Sequence, residues 1–152
     1  MPLIPIREAA YQRIATALAA TGTPVERNRR APLEPREMPV LILRDAGHTA
    51  RQDDAAGLVT YILTVTVEGY VAASEVELGR AISDLHASVV LTLVGRPLSF
   101  GSPPDELWIS ESRMYPDSAS LATSEMPLGN FTAEFECELR SAIATGPFTN
   151  SP

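Results

Sequence analysis

The chain has 152 residues, 45% of them hydrophobic and 20% charged, with a formal net charge of −7. This length suits one domain with a real core, and the balance excludes a chain that is disordered as a whole. The lone cysteine, Cys137, excludes an intrachain disulfide and reads as a small core hydrophobe, and no apolar run approaches the roughly 20 residues that span a bilayer.

All 12 basic residues are arginine, and the charge is uneven. Residues 1–52 hold eight arginines against five acids, a net +3, while residues 53–152 hold four against fourteen, a net −10. Such polarity suits head-to-tail contacts between copies and argues against general nucleic-acid binding, which needs a net basic face. Met1–Ala10 has two early prolines, an Arg-Glu pair and no apolar h-region, so it does not read as a signal peptide, and the chain is expected in a cytosol-like compartment.

In chain order, Ile6, Ala10, Ile14, Ala17 and Leu18 fall at helical spacing and predict a first helix over Ile6–Thr21, with Pro5 at its start and Gly22 at its stop. Val25–Arg30 predicts a short strand. Met38–Arg44 predicts a second, whose centre Val40-Leu41-Ile42-Leu43 is apolar on both faces. A strand of that kind lies inside a sheet covered on both sides, which suggests that another subunit covers part of it. Ala46–Gly57 is small, polar and charged, and reads as a mobile loop. Leu58–Val71 predicts a long third strand, with Tyr61, Leu63, Val65 and Val67 on one face.

Ser74 and Glu77 fit a capping box at the start of a second helix. Leu78, Ile82, Leu85, Val89 and Leu93 form its buried stripe, and Gly95 and Pro97 end it. Gly101–Glu106 and Tyr115–Met126 read as loops flanking a fourth strand, Leu107–Tyr115, which holds the only tryptophan, Trp108. Leu128–Arg140 is the clearest strand, with Phe131, Ala133, Phe135, Cys137 and Leu139 alternating with polar residues. The tail 141–152 reads as extended. The expected architecture is one α+β domain over 1–152, in the order α-β-β-β-α-β-β. It has a largely antiparallel or mixed sheet of about five strands, with two helices packed on one face.

Patterns that carry chemistry are sparse. His48 and His86 lack His or Cys neighbours at zinc spacing, so no metal site is expected, and no cofactor motif occurs. Asp84, His86 and Ser88 hold triad residue types, but residues two apart on a helix point away from each other. Glu134, Glu136 and Glu138 project from one strand face about 7 Å apart. Acid–base work needs carboxylates in unequal environments, and these three look equivalent. They read as a solvated face, a contact for a neighbour's arginines, or the wall of an acidic channel. Arg27, Arg29 and Arg30 read as a subunit contact, a solvated strand edge or, less readily, a nucleic-acid contact. No catalytic residue is expected.

Two segments bear a family likeness. One is Arg27-Asn28-Arg29-Arg30 followed by Met38-Pro39-Val40-Leu41-Ile42-Leu43-Arg44-Asp45. The other is Tyr61-Ile62-Leu63-Thr64-Val65-Thr66-Val67-Glu68-Gly69-Tyr70-Val71 followed by the capped helix. With the element order over roughly residues 5–140, they resemble the tail terminator proteins of tailed phages, the minor-tail-protein-U-like group, with similar proteins in gene transfer agents. The resemblance implies a homohexameric ring in the virion that caps the tail tube and docks to head-completion or neck proteins, while DNA passes through its lumen without specific binding. It implies Arg27, Arg29 and Arg30 at the subunit contact. His48, Arg51, Asp53 and Asp54 would lie on a loop touching the tube or a neighbour, and Glu134, Glu136 and Glu138 would line the lumen. A head–tail connector or stopper subunit of the neck fits the same composition, and a small ligand-binding or regulatory α+β domain is the alternative of another class.

Overall fold

A three-residue strand, β1 (Leu3–Pro5), leads directly into helix α1 (Ile6–Ala19). The computed structural model describes residues 3–53, 55, 57–100, 105–117, 127–142 and 148–150. In α1 the expected stripe of Ile6, Ala10, Ile14, Ala17 and Leu18 is buried, joined by Ala9 and Tyr11. Strand β2 (Val25–Arg27) stops at Asn28, whose φ of 52 takes the backbone out of the extended region. The strand expected over Val25–Arg30 is thus shorter, and Arg29 lies beyond its end.

Strands β3 (Val40–Asp53) and β4 (Leu58–Ala72) form a long antiparallel hairpin. Residues Ala46–Asp53, expected as loop, instead continue β3. The pairing slips between Asp45 and His48, around Gly47 at φ 94, and then resumes with His48 opposite Leu63. A bulge of this kind bends a strand without ending it. The polar side chains that suggested a loop are compatible with strand here because they lie on an exposed arm.

Helix α2 (Glu75–Leu93) buries Leu78, Ile82, Leu85, Val89 and Leu93, as their spacing predicts. Ser74 is its N-cap residue but makes no side-chain cap bond, so the expected capping box is not formed. A backbone bond from Glu77 N–H to the Ser74 carbonyl, 3.0 Å, closes the first turn. Beyond α2 come β5 (Leu98–Phe100), β6 (Asp105–Asp117), β7 (Leu128–Ala142) and β8 (Phe148–Asn150).

The main sheet has the order β2-β3-β4-β7-β6-β5, and β1 pairs with β8 in a separate two-stranded ribbon. The β2–β3 pair is parallel and the others are antiparallel. The fold is α+β, with two helices and a six-stranded mixed sheet, one strand more than the sequence pattern suggested. β1, β5 and β8 have three residues each, too few to show a period of two.

One core unites α1, α2 and the sheet face formed by Leu63, Val65 and Val67 of β4 with Phe131, Ala133, Phe135, Cys137 and Leu139 of β7. Phe131 and Phe135 are wholly buried, each contributing about 1.5–3 kcal/mol relative to exposure. Gly69 lies directly opposite Phe131, and a methyl group at Gly69 would sit 2.2 Å from the Phe131 ring. The aromatic ring thus occupies the space that a larger residue at position 69 would need.

Val40, Leu41, Ile42 and Leu43 are all buried within the single chain, at 0–2% exposure. Leu41 and Leu43 belong to the main core, while Val40 and Ile42 alternate to the opposite face. There they lie opposite Tyr70 and Glu68. Glu68 accepts bonds from Arg44 Nε at 2.7 Å and from the Tyr70 hydroxyl at 2.9 Å. The expectation that another subunit covers part of this strand is overturned, because the single chain buries Val40–Leu43 on both faces.

Candidate interaction surface

The sheet face turned away from the helices can be followed by register. On β7, Thr132, Glu134, Glu136 and Glu138 alternate with the core residues, so the three glutamates share one face as the sequence implied. Glu138 lies between Ile62 of β4 and Trp108 of β6, and Glu136 between Thr64 and Ser110. Glu134 lies between Thr66 and Arg113. Their surroundings are unequal: two apolar residues flank Glu138, hydroxyl residues flank Glu136, and the Arg113 opposite Glu134 has its guanidinium over the Tyr115 ring, 5.4 Å from the centroid. Ile62, Trp108, Ile109, Ser110, Glu136 and Glu138 line a cavity of about 220 Å³ open to solvent. Trp108 is 54% exposed at its rim, an unusual position for the chain's largest side chain. Glu138 also meets Arg140 at 3.5 Å, a loose exposed pair worth little.

Two members of the arginine cluster make contacts within the chain. Arg27 donates to Glu8 of α1 at 2.7 and 3.2 Å and stacks over the Tyr11 ring, 5.3 Å from its centroid. This pairing holds the Glu8 carboxyl below its ordinary range, above all through the Arg27 hydrogen bond. Arg29 bridges Glu26 (2.8 Å) and Glu37 (2.7 Å) and also donates to the Ala31 and Pro32 carbonyls. It thereby ties β2 to the 3-10 turn Pro35–Glu37. Arg30 is exposed and, among the described residues, forms no ion pair.

On the β3–β4 arm, His48 packs edge-on to Tyr61 at 5.6 Å, and Arg51 lies exposed opposite Thr60 on the same face as the glutamates. Asp53 ends β3 opposite Leu58, and Asp54 lies outside the described residues. The three triad-type residues of α2 are separate: Asp84 pairs with Arg80, Ser88 donates to the Leu85 carbonyl, and His86 contacts Glu111 of β6. Among the described residues, no group of three or more His, Cys, Asp or Glu is placed to hold a metal ion. No described helix is long and apolar enough to cross a membrane.

A second concavity, of about 440 Å³, lies on the helix side where the ends of α1 and α2 meet β5. Arg13, Ala17, Ala20, Leu91, Arg96 and Leu98 are among its walls. Leu91 is 83% exposed. Sequence reasoning missed both concavities. Exposure of a single Trp or Leu is set by how strands and helices end, which periodicity does not report.

No protein-family model and no curated protein matches this chain. Among solved structures, its fold is similar to that of a chain in the virion of a native gene transfer agent particle. The TM-score is 0.60 at 17% identity, over 90% of this chain and 96% of that chain.

Proposed function

We propose that this chain is a structural subunit of a tailed-phage or gene-transfer-agent virion, and more narrowly a tail terminator. In this reading it forms a homohexameric ring that caps the tail tube and joins it to head-completion or neck proteins, with DNA passing through the lumen. The observation that carries the reading is the fold likeness to a virion chain across nearly the full length of both proteins. The element order supports it, as does a sheet face that carries exposed Trp108 and Tyr115, opposite the face on which the described helices α1 and α2 pack.

Within the reading, the β3–β4 arm with His48, Arg51 and Asp53 reaches the tube or a neighbouring subunit. Arg30 is the member of the arginine cluster available to a neighbour. Arg27 and Arg29 support that contact indirectly, by fixing β2 against α1 and the 3-10 turn. The glutamate row supplies negative charge to a partner or to the lumen.

The test is tube capping. Tail tubes polymerised from the same particle's tube protein are mixed with the chain and imaged by negative stain. Rings of about six subunits seated on tube ends, with growth arrested, support the terminator. Binding to the head-completion protein but not to tubes would move the chain to the stopper position of the neck. Binding to neither would end the terminator and stopper readings.

A further inference from the structure

Two surface features on opposite sides of the molecule complement one another. On the open sheet face, the Trp108–Ile62 cavity combines the apolar Ile62, Trp108 and Ile109 with Ser110, Glu136 and Glu138. On the helix side, Leu91 stands 83% exposed beside Arg13 and Arg96. Neither arginine forms an ion pair among the described residues. Among the described residues Arg13 spends only Nε, on the Ser99 carbonyl at 2.8 Å. Leu91 and Trp108 are two of only four large hydrophobic side chains exposed among the described residues.

One layer of a two-layer molecule cannot reach round to its own far side, so the two features can meet only between copies. We propose that Leu91 of one copy seats in the Trp108–Ile62 cavity of the next, with Arg13 and Arg96 of the first facing Glu136 and Glu138 of the second. This rests on the ring reading above and names the surfaces that would close the ring. The occupant is a second copy because both halves of the contact, opposite in charge, are on the same chain. A contact between two different patches is heterologous, so it propagates head to tail and closes into a ring when its rotation allows. An exposed Trp in a pocket, bordered by charge pairs that lose water on docking, is the composition of an interface hot spot. Glu138 exchanges its loose contact with Arg140 for a closer cationic partner.

The geometry gives a sharp test. Leu91→Asp removes the knob and leaves the cavity; Trp108→Ala removes the cavity wall and leaves the knob. Both sites are exposed, and circular dichroism checks each fold. Solution mass is measured by light scattering over a concentration series for wild type, each variant and their equimolar mixture. The expected result is an assembling wild type, two variants that are each monomeric, and a mixture that forms dimers and stops. In the mixture one live knob meets one live cavity, and each dimer is capped at both ends.

Variants that assemble like wild type overturn this contact and leave the ring reading standing. A mixture that stays monomeric overturns it as well, and so does a wild type that is monomeric throughout the series. In that last case tube capping still decides the terminator reading separately.

Discussion

Arg27 shows how a surface pair gives a readable pH signature. The Arg27 hydrogen bond holds the Glu8 carboxyl below its ordinary value of 4.5. A depressed carboxyl stabilises the fold above its unfolded pKa, and this contribution is lost as pH falls through the folded value. Both partners are about a third exposed or more, so solvent screening limits the pair to about 0.5 kcal/mol. Arg27→Gln should cost about that much at pH 7, plus about 0.5 kcal/mol from the lost Tyr11 stacking. In urea titrations the first part should fade below pH 4 while the second persists. Equal differences at pH 7 and pH 3 would refute the pairing.

Gly69→Ala tests packing rather than charge. The added methyl meets the buried Phe131 ring, and relief requires moving a wholly buried side chain, a cost of about 1–3 kcal/mol. Gly79→Ala, with nothing near its added methyl, should be neutral or stabilising, and thermal melts compare the two directly. Cys137 completes the residue picture. Burial, followed by nearby Glu136, pushes its thiol up to about 12, so thiol reagents should label it only as fast as the chain unfolds. The sequence disclosed its place in the core through strict alternation. It did not disclose the partners of Arg27 and Arg29, because Glu8 is 19 positions from Arg27 and no local spacing predicts that approach.

At the scale of elements, legibility follows periodicity. The α2 stripe and the β7 alternation each repeat often enough to be read, and the structure buries every residue they named. The outer half of β3 was unreadable for a physical reason. Its residues are held by backbone pairing to β4, and its side chains stay in water, so no apolar pattern marks it. β2 covers β3 only from Leu41 to Leu43, so beyond the bulge the described sheet continues on one side alone. In the isolated chain, outward-facing amides of His48–Arg51 should exchange within seconds, while amides of Val65 and Phe135, with strands on both sides, should exchange only on global opening. Hydrogen-exchange mass spectrometry resolves the two classes. Equal protection in both would mean that the arm's edge is covered in solution.

For the molecule as a whole, the sequence conveyed the α+β class and the arrangement of two helices on a sheet. It did not convey that the chain covers Val40 and Ile42 by itself, because apolarity on both faces of a strand looks the same whether a neighbour or the chain's own loops cover it. The long pairing of β4 with β7, from Leu58 opposite Ala142 to Ala72 opposite Leu128, joins distant parts of the chain. Closing loops of that length before the contacts form is slow, and refolding after dilution from urea should take milliseconds to seconds rather than microseconds. Stopped-flow fluorescence of the single tryptophan measures it.

The β1–β8 ribbon has a mechanical meaning. Leu3 lies opposite Asn150 and Pro5 opposite Phe148, so the outer ends of both strands are at the same end of the ribbon. A load applied between the two ends of the chain therefore opens the ribbon one pair at a time, like a zip, rather than shearing all its bonds together. An optical trap pulling on those ends should record a first yield at low force, with the six-stranded sheet still intact, and only later the rupture of the β4–β7 seam.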